Sequence, residues 1–419
     1  MERALLVTVK LKTKDDNWPV EDIAEELEQL ATTSGVEIVD NITCLCQKIT
    51  PNLFIGKGKS EEISFICKEY NIDTVIFSCD LSGTQQRNLE EIIGKKTIDR
   101  TQLILDIFAL HAKSPEGKMQ VELAQLQYLM PRLVGKGIIL SRLGGGIGTR
   151  GPGEQKLEVD RRRIKKRIEK LKSELKHLRL HRLTLRKARK RNAIPQVALV
   201  GYTNAGKSTL LNALTRAEQR VENSLFTTLD PLAKTLKLPN GEEVVILDTV
   251  GFLNDLPHHL IEAFKATLEE VAESDLIIHV LDVSHPRLYE HSKAVFAVLK
   301  DLNVETKPTI TALNKIDRIN NPAWLEKVAR DFINPVFISA RFNQNLDLLC
   351  KYIQKNFESK MSSQVFVVPH TRMDLINLFY KKGKVEEIEY LPKNIKVKVN
   401  LPKPLSYKLL QNKDIQIKE

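Results

Sequence analysis

Gly201-Tyr202-Thr203-Asn204-Ala205-Gly206-Lys207-Ser208-Thr209 decides how this chain is read. The apolar run Val197-Ala198-Leu199-Val200 precedes it, and Leu210-Leu211-Asn212-Ala213-Leu214 follows it with the look of a helix face. A buried strand, a Gly-x4-Gly-Lys-Ser turn and a helix in that order make a cradle for phosphate. The glycines let the backbone curl so that its N–H groups converge on phosphate oxygens, and the helix N-terminus adds partial positive charge. All nine residues are therefore expected to line a nucleotide. Lys207 would reach the β- and γ-phosphates, and the Ser208 hydroxyl would take one Mg²⁺ position.

Two further motifs follow in order. Val244-Val245-Ile246-Leu247 predicts a second buried strand ending in Asp248-Thr249-Val250-Gly251. Asp248 would hold Mg²⁺ through water, Thr249 and Val250 would lie beside the phosphates, and the Gly251 N–H would sense the γ-phosphate. Thr309-Ile310-Thr311-Ala312-Leu313 then leads into Asn314-Lys315-Ile316-Asp317. The Asp317 carboxylate can accept from both N1–H and the N2 amino group of guanine. Adenine offers no such pair, so the wrong base would leave a buried acceptor unpaired. Asn314 would brace the loop, the Lys315 stem would lie along the ring, and backbone N–H groups of Ser339-Ala340-Arg341 would approach guanine O6.

Between the first two motifs lies Phe226-Thr227-Thr228-Leu229-Asp230-Pro231, placed where a first switch belongs. Phe226, Thr227 and Thr228 are expected at the nucleotide, with the Thr228 hydroxyl on Mg²⁺ and its N–H on the γ-phosphate. Lys207, Thr228 and Gly251 are the expected catalytic set. Phe252 occupies the position where many small GTPases place the glutamine that orients water, and a phenyl ring cannot do that work. Slow intrinsic hydrolysis is therefore expected, with a partner supplying what is missing. Asn254, Asp255, His258 and His259 are the nearby polar residues. Asn204 adds K⁺ to Mg²⁺ as a candidate ion against the phosphates.

The rest of the chain frames this domain. At 419 residues it is too long for one core. With 42% hydrophobic and 28% charged residues it has a soluble protein's composition. No apolar stretch reaches membrane-spanning length, and Met1-Glu2-Arg3 does not open a secretion signal. A cytoplasmic monomer is expected, at most peripheral to a membrane. The five cysteines are scattered thiols without a metal-ligand pattern. A net charge of +11 favours a polyanionic partner, nucleic acid before membrane.

Strand-like and helix-like runs alternate through residues 1–112, predicting a small, mostly parallel α/β domain. The predicted strands are Ala4–Lys10, Val36–Asp40, Leu45–Ile49, Thr74–Phe77 and Thr97–Asp99, and the helices Val20–Thr33, Lys59–Tyr70 and Ser82–Ile93. Gly56-Lys57-Gly58-Lys59 resembles half a phosphate cradle, but such a turn into a helix is more often merely a basic loop. Residues 113–194 form a linker: Leu126, Leu129 and Leu133 share the face of a helix that Pro131 should kink or end. The stretch Gly144-Gly145-Gly146-Ile147-Gly148-Thr149-Arg150 is either a hinge or, through Arg142 and Arg150, a phosphate contact. Leu157, Ile164, Ile168, Leu171, Leu175, Leu178 and Leu185 then recur at alternating three- and four-residue steps, with basic breaks at Arg161 and Arg182, as a coiled-coil-like seam. Its other faces are crowded with Lys and Arg, for which counterion release from RNA or DNA is the relief. Residues 195–358 alternate strands and helices as a doubly wound sheet with its site at the strand carboxyl ends. Residues 363–419 predict a small α+β appendage.

The chain resembles the HflX-type GTPases along nearly its whole length. The resemblance rests on Gly144–Glu154, Asp160-Arg161-Arg162, Gly201–Thr209, Thr228-Leu229-Asp230-Pro231 and Asp248-Thr249-Val250-Gly251-Phe252, with Asp99-Arg100-Thr101 and Gln120–Leu126 before them. It implies a multidomain α/β protein that hydrolyses GTP on the large ribosomal subunit, contacts ribosomal RNA, and splits or rescues stalled ribosomes under stress. An RNA-binding assembly or remodelling protein, with nucleotide only gating affinity, is the competing expectation. Asn345 stands where that base loop usually has glycine; asparagine tolerates positive φ.

Overall fold

The computed structural model describes residues 2–12, 18–133, 152–191, 194–215, 226, 232–253, 265–358, 361–402, 406, 409 and 416–417. They fall into two compact units, one of residues 1–180, 220–231 and 249–269, the other of residues 181–219, 232–248 and 270–419.

The first unit is built on a parallel sheet, β1 (Arg3–Leu11), β2 (Glu37–Cys46), β3 (Thr74–Phe77) and β4 (Lys96–Ile98), in the order β2-β1-β3-β4. Helices α1 (Val20–Ser34) and α4 (Arg100–His111) pack together, as do α2 (Lys57–Glu69) and α3 (Gly83–Ile93). Because side chains alternate along a strand, Leu5, Val7 and Val9 of β1 enter one apolar cluster with Ile63, Cys67, Leu89 and Ile93 of α2 and α3. Expected Val36–Asp40, from Glu37 on, and the start of expected Leu45–Ile49 fall in one strand that ends at Cys46, leaving Gln47–Ile49 outside it. The polar interruption at Asp40-Asn41 is tolerated because β2 is an edge strand, its register slips between Ala4 and Leu5, and Asn41 accepts a hydrogen bond from Thr8 (3.1 Å). Strand β4 stops at Ile98, one residue early, because Asp99 turns to cap α4 through the Gln102 N–H (2.8 Å).

Asp99 is fully buried and also accepts from the Leu81 N–H (3.1 Å), Tyr128 hydroxyl (2.8 Å) and Arg132 guanidinium (2.9 Å). Burial raises its pKa and these donors oppose the rise. The network ties α5 (Pro115–Arg132) to the sheet, and α5 buries Val121, Ala124 and Tyr128, while Leu129 of the expected leucine face is 43% exposed. Helix α6 (Pro152–Arg191) runs unbroken for 40 residues. Ile168 and Leu171 of its predicted seam are buried, and Arg167 clasps Glu122 of α5 through two 2.6 Å bonds. The glycine-rich loop, with Arg142 and Arg150, lies outside the described residues.

The second unit holds a six-stranded sheet of β5 (Gln196–Val200), β6 (Leu232–Lys237), β7 (Glu243–Asp248), β8 (Leu276–Asp282), β9 (Thr309–Asn314) and β10 (Pro335–Phe337). Its order is β10-β9-β8-β5-β7-β6, parallel except for the edge strand β6. Strand β5 is wholly buried at the centre. Helices α7 (Lys207–Thr215), α8 (Lys265–Glu273), α9 (Leu288–Asp301), α10 (Pro322–Arg330) and α11 (Leu346–Glu358) accompany the strands. An antiparallel sheet follows, β12-β13-β11-β14, from β11 (Met361–Pro369), β12 (Lys384–Tyr390), β13 (Asn394–Pro402) and β14 (Gln416–Ile417). Helix α12 (Met373–Lys382) joins that core through Phe379, whose ring lies 5.2 Å from Phe366.

Candidate functional site

Four segments converge at the carboxyl ends of β5, β7, β8 and β9, where open α/β sheets bind ligands. The turn after β5 needs glycine at two positions for different reasons. A Cβ on Gly201 would lie 2.2 Å from the Val280 carbonyl oxygen of β8. Gly206 has φ +96°, and a Cβ there would lie 2.3 Å from Asn314 Nδ2. Asn204 also takes a left-handed conformation, φ 58°, which asparagine tolerates.

Lys207 opens α7 and is buried, its ammonium donating to the carbonyls of Gly201 (3.1 Å) and Tyr202 (2.9 Å). Burial pushes it down to about 8, with Asp248 opposing. Next to it, the Ser208 hydroxyl donates to Asp248 Oδ2 at 2.7 Å, and Asp248 is fully buried at the end of β7. The two oxygen donors assigned to Mg²⁺ thus already sit together. Tyr202, Thr203 and Ala205 are buried in the turn. Thr209 lies on the first turn of α7.

The residues expected at the base form a second cluster. Asn314 spans the site: its Nδ2 donates to the Ala205 carbonyl (2.9 Å), and its Oδ1 accepts from the Ala340 N–H (3.0 Å). Lys315, at φ 66°, donates to the Asn204 carbonyl (2.8 Å). Asp317 sits in the 3-10 turn Ile316–Arg318 and accepts from the Ser339 hydroxyl (2.6 Å), which fixes its carboxylate. Of the N–H groups expected near guanine O6, that of Ala340 is engaged by Asn314 and that of Ser339 by the Gln344 carbonyl (3.2 Å). Arg341 is exposed, its guanidinium 5.6 Å from the Phe342 ring centre. Asn345 has φ 58°, as expected where glycine is usual.

The residues expected to form the switches belong to the first unit. Thr249, Val250 and Phe252 are buried there, as is Gly251. Phe226 is 3% exposed, and its ring meets Phe108 of α4 edge-on at 4.6 Å, a hydrophobic contact. Thr227 and Thr228 lie outside the described residues, as do Asn254, Asp255, His258 and His259. Sequence reasoning missed Asp282, which closes β8 and pairs with Lys315 at 2.7 Å. Its signal was a carboxylate directly after an apolar strand, the same arrangement that singled out Asp248.

Fold and site define a P-loop GTPase, with a cradle after the central strand and an Asn-Lys-x-Asp loop two strands away. Three family models match in series: "GTP-binding GTPase N-terminal" over residues 21–109, "GTP-binding GTPase Middle Region" over 111–189 and "50S ribosome-binding GTPase" over 196–315. The chain is 48% identical to GTPase HflX of Caldanaerobacter subterraneus subsp. tengcongensis, covering 96% of this chain and 91% of that one. It is 37% identical to GTPase HflX of Escherichia coli K12, covering 96% and 94%. A crystal structure of SsGBP in complex with GDP matches 85% of this chain and 98% of its own at 28% identity, TM-score 0.50. The chain belongs to the HflX family of GTPases. It binds guanine nucleotide and hydrolyses GTP to GDP and phosphate.

Proposed function

We propose that this GTPase acts on the large ribosomal subunit in the cytoplasm, as a monomer, and splits or rescues stalled ribosomes under stress. The match to the "50S ribosome-binding GTPase" model supports the subunit as partner. The observation that carries the reading is the basic stripe of α6. Arg161, Lys165, Lys172 and Lys176, spaced by four, seven and four residues, fall on one side of the helix. They are exposed, and among the described residues they make no ion pair, whereas Arg162, Arg163, Arg167, Lys170 and Arg179 each have a carboxylate partner. Four uncompensated cations over about 22 Å match a line of phosphates. No aromatic side chain interrupts the stripe, so backbone and shape, rather than stacked bases, would be recognised in ribosomal RNA.

In the nucleotide site, Gly201 to Thr209 hold the phosphates, Lys207 stabilises charge on the transferring phosphoryl group, and Asn314, Lys315 and Asp317 select guanine. Thr228 and Gly251 close on the γ-phosphate. Ser208 and Asp248 have the hard oxygen donors Mg²⁺ requires, already 2.7 Å apart, with Thr228 as a further ligand. When bound, the ion neutralises charge growing on the phosphate oxygens. Asn204 would hold K⁺, and equal rates in K⁺ and Na⁺ would remove that assignment. Residues 1–112, 113–194, 195–358 and 363–419 are the proposed functional divisions. No helix among the described residues is long and apolar enough to cross a membrane.

Sedimentation with purified large subunits tests the reading. Binding should be strong with a GTP analogue, weak with GDP, and accompanied by stimulated hydrolysis. Nucleotide-dependent RNA binding without stimulation would favour the gated binder, the reading that Phe252, in place of a water-orienting glutamine, keeps in view.

A further inference from the structure

We propose that Asp282 is a positioning residue of the guanine pocket, acting through Lys315; this rests on the reading of Asn314-Lys315-Ile316-Asp317 as the base-recognition loop. Lys315 has φ 66°, a left-handed backbone that long side chains seldom adopt. Its ammonium is fixed from two sides, by Asp282 Oδ2 at 2.7 Å and by the Asn204 carbonyl at 2.8 Å. The paired side chains are only 18% and 13% exposed, so their attraction is less screened than at an open surface. Asp282 is held in turn: its Oδ1 accepts from the Ser284 N–H (3.0 Å) and hydroxyl (2.6 Å).

The segment from the end of β8 into the first turn of α9 reaches the phosphate loop by a second route. The His291 ring stacks on Tyr202 with centroids 3.8 Å apart and planes 3° from parallel, and the His285 ring lies 4.2 Å from His291. Residues 282–291 therefore touch both the cradle and the base loop, although none belongs to a nucleotide-binding motif. A lysine side chain has many rotamers. Without Asp282 the Lys315 stem would sample conformations that leave the face of the base, and guanine binding would have to order it. Asp282 supplies that ordering in advance.

The test is a double-mutant cycle read by calorimetry with GDP and GTP. Asp282→Asn keeps an Oδ1 acceptor for Ser284 but replaces the carboxylate oxygen that pairs with Lys315. It should weaken both nucleotides equally, by roughly ten-fold, raising KM while kcat at saturating GTP moves by less than about two-fold. Asp282→Glu should recover affinity to within about three-fold of the parent. In a Lys315→Met background Asp282→Asn should cost nothing further. Unchanged affinity in Asp282→Asn would overturn the proposal. So would a loss that persists in the Lys315→Met background, or one that merely follows a lowered unfolding midpoint without nucleotide. If the parent takes ATP as readily as GTP, the base-loop reading fails and carries the proposal with it. If the parent selects GTP while Asp282→Asn is neutral, only the proposal fails.

Discussion

The two α/β sheets of this protein, one parallel and one parallel but for its edge strand β6, use the same architecture to opposite ends. At the carboxyl edge of the second-unit sheet, polar groups face one another across a site: Lys207 and Ser208, Asp248, Asp282 with Lys315, and Asn314. At the carboxyl edge of the first-unit sheet, polar groups are consumed internally. Arg100 pairs with Glu26, Thr101 donates to Asp80, Lys10 donates to the Trp18 carbonyl, and Asp99 takes hydrogen bonds from Leu81, Gln102, Tyr128 and Arg132. A crevice of about 320 Å³ remains there, lined by Val9, Trp18, Phe54 and Arg100 among others. Gly56-Lys57-Gly58-Lys59 starts α2, but Lys57 and Lys59 pair with Glu61 and Glu62 of the same helix. Architecture alone does not assign function; the partners of the polar groups do.

Lys207→Ala should weaken GTP binding by roughly a thousand-fold, about 4 kcal/mol, whereas Lys57→Ala with Lys59→Ala should leave it unchanged; titration of both variants decides. Loss comparable to Lys207→Ala from the second pair would make the first-unit loop a phosphate site after all. Next in size is the Asp99 hub. Asp99→Asn should destabilise the protein by about 3 kcal/mol in denaturant without altering GTP affinity, because it breaks a buried ion pair whose partners belong to no nucleotide-binding motif. A matching loss of GTP affinity would contradict the division of labour.

A pH titration sharpens the contrast further. His279 is fully buried in β8, its ring 5.2 Å from Phe296, and burial, with Lys207 next, pushes it down to about 4. An unfolded histidine binds its proton near pH 6.5, so the unfolded state gains protons first as pH falls. Stability present above about 6.5 should therefore be lost between there and about 4, by up to about 3 kcal/mol. His279→Leu should flatten that part of the profile, and an unchanged profile would count against it. The smallest effect concerns Lys207 itself. With its free-state pKa near 8 and phosphate favouring the charged form, binding must take up a proton above that pH. GTP affinity should hold below about 8 and then fall by about ten-fold per pH unit, as seen by calorimetry in two buffers. A flat profile to pH 9 would show that burial does not shift this lysine.

The candidate nucleotide site was legible because its motifs are local. A cradle, an aspartate after a strand and an Asn-Lys-x-Asp loop each declare themselves within ten residues, and the strands before them are apolar runs that the structure reproduces within a residue or two. What escaped was long-range. Asp282 matters because Lys315, 33 positions on, meets its carboxylate. Asp99 gathers donors from Leu81, 18 residues before, and Arg132, 33 residues after. Strand β2 looked like two strands because its polar middle is excused only by its edge position and its slip against β1. The leucine face read on α5 gave way to Val121, Ala124 and Tyr128, since Tyr128 is drawn inward by its bond to Asp99. Phe226, read as part of the nucleotide site, spends its ring on Phe108, a contact between residues 118 positions apart that no local pattern announces.

Asp317 offers the most direct trial of the whole account, through titration of the parent and Asp317→Asn with GTP, ATP and xanthosine triphosphate. A carboxylate there accepts from guanine N1–H and N2, while an amide can donate to the xanthine O2 instead. The parent should prefer GTP over ATP by more than about a hundred-fold, and Asp317→Asn should lose GTP and gain the xanthine nucleotide. Equal affinity of the parent for GTP and ATP, or an Asp317→Asn variant with undiminished GTP selectivity, would contradict it.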